Sequence, residues 1–216
     1  MTVLFVVATI VLFLGLDWLI QRRKKTPELA VAAPEPAPVR LPAGVFFSPS
    51  HTWVNLFPSG RAWLGVDDFV TRLLEKPTVA FLKPVGAAVE KGEPLFRLQE
   101  GEHSLTVRSP FKGRVLAQND AIARREGALA RAAFFDGWIY ELRPERGADL
   151  KALHLGDETR SWMQTEFGRL RDLFAGATPE LQPAMLQDGG PPVAGAMKHV
   201  SPETWKKFED EFLAVR

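Results

Sequence analysis

The chain of 216 residues contains no cysteine and carries almost no net charge. The absence of cysteine excludes a disulfide scaffold, a thiol nucleophile and a thiolate metal site. With 27 basic and 26 acidic side chains the formal net charge is +1, so no global field attracts nucleic acid. A serine-centred elbow, a phosphate-binding glycine loop and a His-Glu-x-x-His helix are also missing. We therefore expect a protein that is not an enzyme and does not bind nucleic acid.

The first 25 residues predict a membrane anchor with a basic flank. An apolar run extends from Thr2 to Ile20, with one interruption, and is close to the roughly 20 residues that a helix needs to cross a bilayer. No cation precedes the run, which disfavours the alternative of a cleaved signal peptide. The cations that follow favour the cytoplasm for this end of the run. We expect a single-pass protein of the cell (inner) membrane, with its N-terminus outside, its main domain cytoplasmic and the lipid bilayer as a partner.

Six residues are the candidate membrane-interface residues of this anchor. Trp18 lies where an aromatic interfacial residue is expected. Asp17 has two interpretations: it reaches water or pairs with Arg22 at the membrane edge, or it contacts a polar group on a neighbouring transmembrane helix. The whole set is Asp17, Trp18, Arg22, Arg23, Lys24 and Lys25.

The rest of the chain divides into three parts. Residues 26–43 are rich in proline and alanine and predict an extended tether. Residues 44–148 show short apolar runs between turns, which is typical of a small β sandwich or flattened barrel. Residues 149–216 predict C-terminal helices. The predicted strands are 53–57, 62–66, 78–82, 95–98, 105–108, 114–117 and 138–142, with a short helix that Asp67 or Asp68 caps.

Two C-terminal helices carry aromatic stripes. The first runs from Glu158 to about Phe174, and the second begins at Ser201 with proline in its first turn. Both stripes can pack on the β domain, or the second can bind a partner by lying in a groove. The candidate partner-binding residues are Trp205, Phe208 and Phe212.

The central part contains a series of short motifs in a defined order. They are His51-Thr52-Trp53, Gly65-Val66-Asp67-Asp68, Val85-Gly86, Val89-Glu90-Lys91-Gly92-Glu93, Ser109-Pro110-Phe111-Lys112-Gly113-Arg114-Val115 and Gly137-Trp138-Ile139. No single motif is specific for a family, but the order and spacing of the motifs over about a hundred residues are specific. In this order and spacing the chain resembles the glycine cleavage system H protein family, which belongs with lipoyl and biotinyl carrier domains. The resemblance implies the lipoyl-carrier fold.

The resemblance also implies a lysine on a hairpin tip that carries lipoate, eight residues before Pro110. That position is Glu102, and no lysine lies between Lys91 and Lys112. An amide to lipoate needs an amine, so we expect no lipoyl cofactor. Glu100, Glu102 and His103 could instead bind a cation or act in acid–base chemistry, although a solvated hairpin is the simpler interpretation.

The resulting hypothesis is a non-catalytic accessory or scaffold subunit of a membrane complex, for example of a respiratory or photosynthetic assembly. Other subunits of that complex would then contact the domain on the cytoplasmic face. Two alternatives stay open. One is a carrier with an unusual attachment site, for which Lys112 is the nearest lysine; the other is an assembly factor that tethers soluble enzymes to the membrane.

Overall fold

A computed structural model describes residues 39–125, 127–177 and 194–215. The predicted anchor, its six interface residues and most of the tether lie outside these ranges. Within them, no helix is long and apolar enough to span a bilayer.

The described residues form nine strands, five α-helices and three 3₁₀ helices. The strands are β1 Phe46–Phe47, β2 Thr52–Leu56, β3 Ala62–Val66, β4 Thr78–Phe81, β5 Ala88–Val89, β6 Pro94–Glu100, β7 His103–Arg108, β8 Gly113–Gln118 and β9 Tyr140–Pro144. The α-helices are α1 Asp68–Leu73, α2 Asp120–Ala123, α3 Ala128–Arg131, α4 Asp157–Ala177 and α5 Pro202–Phe212. The 3₁₀ helices span Phe135–Gly137, Gly147–Ala152 and Ala196–His199.

The strands form two antiparallel sheets. The larger sheet has the order β1-β2-β3-β9-β8-β5, and the smaller has the order β4-β6-β7. Alternation within the strands sends one face of each sheet into a common core, so that Leu64, Leu98 and Leu142 are all buried. The predicted β sandwich with C-terminal helices is confirmed.

On the outer face of the larger sheet, a tryptophan ring packs directly over a glycine. Trp53 of β2 lies directly across from Gly65 of β3. A Cβ atom on Gly65 would stand 2.6 Å from the Trp53 indole, so only glycine leaves room for this ring. The buried indole donates a hydrogen bond of 2.7 Å to the carbonyl of Ala133, which fixes the loop before β9 over the sheet.

Side-chain caps begin two helices where the sequence predicts them. Asp67 accepts a hydrogen bond of 3.1 Å from the Val70 amide at the start of α1. Ser201 accepts one of 3.3 Å from the Thr204 amide at the start of α5, and Pro202 follows as the first helical residue. Each cap satisfies an amide that the helix itself leaves without a partner.

Some details differ from the sequence expectation, and the two-residue strands β1 and β5 were not predicted. The last strand begins at Tyr140 rather than at Trp138, because the preceding 3₁₀ turn occupies Phe135–Gly137. Ile139 still joins the sheet: its amide donates 2.8 Å to the carbonyl of Leu64, and its carbonyl accepts 3.0 Å from the amide of Asn119, the residue after β8. The helices α2 and α3 are four residues each, too short to give a helical period in the sequence.

Candidate functional site

The tip of the β6–β7 hairpin holds the residue that the sequence analysis singled out. Glu100 pairs with His103, which leaves Gly101 and Glu102 as the two turn residues. Gly101 has φ +59°, a conformation that glycine adopts without strain and that tight hairpin turns require. Glu102 is exposed, so its carboxylate stands in solvent at the end of the hairpin.

Glu100 joins the hairpin to the segment after α1. One oxygen of its carboxylate accepts hydrogen bonds from the amides of Glu75, at 2.7 Å, and of Lys76. The other oxygen is buried and has no partner among the described residues. Glu100 therefore acts as a structural acceptor that holds the base of the tip against the neighbouring loop.

An open cleft of about 670 Å³ lies beside this tip. Lys198, in the 3₁₀ helix Ala196–His199, reaches the cleft and donates to Glu75 over 3.0 Å. That hydrogen bond raises the pKa of Lys198 and lowers the pKa of Glu75, so both groups are charged at neutral pH. The cleft is lined by Glu75, Lys76, Thr78, Gln99, Glu100, Gly101, Glu102, His103, Lys198 and Trp205.

Helix α5 covers the edge of the smaller sheet next to the tip. Strand β7 is an outer strand of this sheet, and its Thr106 amide donates 2.8 Å to the carboxylate of Glu209 on α5. His103 stacks on Trp205 with ring centres 4.9 Å apart. The contacts give an exposed strand edge a partner within the chain, which protects it from pairing with other chains.

The three candidate partner-binding aromatics are covered by the chain itself. Trp205 is 4% exposed, and Phe208 and Phe212 are fully buried in the main core. The structure therefore corrects this assignment: of the two alternatives, it shows packing on the β domain. The physical reason is the large apolar area of three aromatic rings. Trp205 stacks on His103 of β7, and Phe208 and Phe212 stack on Phe69 of α1, so all three rings are removed from water.

Away from the hairpin tip, the structure contains a buried ionic network that the sequence analysis did not predict. His51 is fully buried, with Nδ1 2.8 Å from Asp67 and Nε2 3.4 Å from Glu166 on α4. Arg169, one helical turn further, donates to both oxygens of Glu166 at 2.9 and 2.7 Å. Phe69 stacks on the imidazole at 4.2 Å, which excludes water from the ring.

The two carboxylates determine the charge of His51. Burial alone lowers the pKa of an imidazole, but Asp67 and Glu166 more than offset this, and the pKa of His51 is raised from 6.5 to about 9. Burial likewise favours the neutral form of Glu166, yet His51 and Arg169 hold its pKa below the usual value. His51 is therefore an imidazolium at neutral pH, held between two carboxylates.

One sequence signal could have revealed this network. Glu166 lies three residues after Met163 and four before Leu170, so it shares the apolar face of α4. An acidic residue in that position is buried and needs a cation. Which cation it meets depends on tertiary packing, since His51 is 115 residues away in sequence.

Lys112, the lysine named for an unusual attachment site, lies in the turn before β8. Its ammonium is 3.2 Å from Glu90 and 3.3 Å from Glu145. Hydrogen bonds to these carboxylates raise its pKa and favour the charged form over the nucleophilic amine. Across the described ranges no group of three or more histidines, cysteines or acids could hold a metal ion.

The family and sequence comparisons match this chain to glycine cleavage H proteins. The family described as "Glycine cleavage H-protein" matches residues 45–166. A glycine cleavage system H protein of Opitutus terrae is 30% identical over 113 residues, which are 52% of this chain and 89% of that protein. One from Hydrogenovibrio crunogenus is 29% identical over 104 residues, 48% of this chain and 81% of that protein. A crystal structure of the Mycobacterium marinum protein is 20% identical, with a TM-score of 0.45, and covers 49% of this chain and 87% of that one.

Proposed function

The chain belongs to the glycine cleavage H-protein family, and we propose that it serves as a non-catalytic, membrane-anchored scaffold subunit rather than as a lipoyl carrier. The observation that carries the proposal is the hairpin tip: it presents the carboxylate of Glu102, and the sequence offers no lysine from Gly92 to Phe111. A carboxylate cannot form the amide that holds lipoate. The fold is retained while the group needed for carrier chemistry is missing.

The packing of α5 supports a role in holding a fixed surface. His103 and Thr106 of the hairpin are both engaged by α5, through Trp205 and Glu209. This strand edge is therefore held by contacts within the chain. A scaffold benefits when its surface is held in place in advance, because less conformational entropy is lost when a partner binds.

The anchor part of the proposal rests on the sequence alone. The apolar run before Arg22 would fix the protein in the bilayer, and the cations after it would place the domain on the cytoplasmic face. Other subunits of a membrane complex, for example of respiratory or photosynthetic type, would be the partners.

Intact mass spectrometry of the full-length protein from its native membrane tests the carrier question. We expect the unmodified mass, while a lipoylated H protein processed in parallel should show the added acyl group. Purification in mild detergent tests the scaffold role, and we expect membrane proteins to be recovered in fixed stoichiometry. A lipoyl group on any lysine, Lys112 included, would refute the proposal, as would recovery of a monomer without partners.

A further inference from the structure

One face of the larger sheet combines aromatic rings with arginines. Trp63 of β3 lies opposite Glu141 of β9, and Arg143 of β9 lies opposite Arg114 of β8. Because side chains alternate along a strand, these four residues share the face that points away from the core. Both arginines are exposed.

The aromatic end of this face is a row of three half-buried rings. Phe57 meets Trp63 edge to face with centres 4.9 Å apart. Trp63 stacks on Trp138 at 5.5 Å with an angle of 10° between the planes. Part of each ring therefore contacts neighbours and part remains open to solvent.

The charges on this face do not cancel. Glu141 is already engaged, since it accepts 2.9 Å from Arg61 and 3.2 Å from the indole nitrogen of Trp63. Arg114 donates to the neutral carbonyl of Gly86, and in the described ranges neither Arg114 nor Arg143 forms an ion pair. Two like charges directly opposite each other destabilise a strand pair. An external anion would relieve this repulsion.

We propose that this aromatic–arginine face docks on an anionic bilayer surface; it comprises Phe57, Arg61, Trp63, Arg114, Trp138 and Arg143. Tryptophan and phenylalanine rings that are open on one side favour the boundary between lipid headgroups and acyl chains. Arginines beside them attract anionic headgroups. The inference rests on the proposed function, because the anchor would keep the face within reach of a bilayer and raise its effective concentration there.

The absence of cysteine allows a site-specific test on the full-length chain. Ser59 is exposed in the turn between β2 and β3, next to the aromatic row. A polarity-sensitive fluorophore on Ser59→Cys should report a less polar environment in phosphatidylcholine vesicles that contain phosphatidylglycerol than in vesicles that lack it. The matched control is the same fluorophore on Ser104→Cys, an exposed position on the smaller sheet, and it should not respond.

Charge reversal tests the role of the arginines. Each cation near an anionic surface changes the docking equilibrium by about fivefold, so R114E with R143E should remove most of the response. The control pair, R97E with K206E, reverses two exposed cations elsewhere and should retain it. A response that survives R114E with R143E, or that both labels share, overturns docking through this face.

Flotation of the vesicles distinguishes a failure of the proposed docking from a failure of the proposed membrane anchor. A chain that floats with the vesicles while the Ser59→Cys label shows no dependence on phosphatidylglycerol overturns the docking and leaves the anchor intact. In that case an acidic protein surface would be the better candidate for this face. A chain that does not float overturns the anchor and the docking with it.

Discussion

The ionic network around His51 makes the stability of the protein depend on pH in a defined direction. The pKa of His51 is about 9 in the folded chain, against an ordinary value of 6.5. Binding of this proton therefore favours the folded state by about 3 kcal/mol. The contribution is fully present below pH 6.5, declines by about 1.4 kcal/mol per pH unit above it, and is lost above pH 9.

Replacing His51 by asparagine isolates this contribution. His51 has φ +58°, and asparagine tolerates this left-handed conformation better than most residues. The substitution should therefore add little backbone strain. The change leaves Asp67 and Glu166 buried without the cation between them. We expect a loss of about 3–5 kcal/mol at pH 7 and a free energy of unfolding that no longer falls between pH 6.5 and 9.

Urea unfolding of the full-length chain in mild detergent, followed by tryptophan fluorescence from pH 5 to 9.5, measures both effects. Glu158→Gln provides the control, since Glu158 is on the same helix but exposed, and it should change stability by less than about 0.5 kcal/mol. Glu166→Gln should reduce both the stability and the pH dependence. If His51→Asn keeps the wild-type decline between pH 6.5 and 9, the imidazolium is not the group responsible and the reasoning fails.

Three further substitutions test the tip of the β6–β7 hairpin and the helix α5 that packs beside it. Phe208→Ala should cost about 3–5 kcal/mol of unfolding free energy in urea, because a fully buried ring leaves a cavity in the core. Glu209→Gln should weaken the charge-assisted bond to Thr106 by about 1 kcal/mol, seen as faster hydrogen exchange of the Thr106 amide. Glu102→Lys should leave the melting temperature unchanged, since stability changes of exposed turn residues stay within about 0.5 kcal/mol; a large drop would show that the tip carboxylate has a structural role.

The sequence was sufficient for the elements whose signals are local. The seven predicted strands, a helix cap at Asp67 or Asp68 and the helix start at Ser201 follow from alternation and capping residues, whereas the two-residue strands β1 and β5 give no such signal. The position of Glu102 on a hairpin tip followed from family motifs, and the structure agrees. Local patterns could not show that Trp205 and Lys198 lie beside that tip, because this depends on how the C-terminal segment packs.

Local sequence patterns also could not predict the buried charged network around His51. The His51 motif reads as a strand start, and nothing nearby in sequence shows that its imidazole meets Glu166. A polar residue on an apolar helix face signals that a partner exists but does not identify it. The aromatic–arginine face was hidden for a related reason: Arg114 and Arg143 become neighbours only through the register of β8 with β9.

Charge balance shows why the residues after the family match are integral to this fold. The match ends at Glu166, and Asp67, His51 and Glu166 alone would bury one net negative charge. Arg169 supplies the missing cation, donates 2.8 Å to the carbonyl of Glu211 and lies 4.6 Å from the ring centre of Phe212. The network thus becomes neutral only when α4 continues past the match, and Arg169 then ties α4 to the end of α5. The same α5 covers the hairpin edge beside Glu102, so the buried charges and the cover of the tip are parts of one cooperative structure.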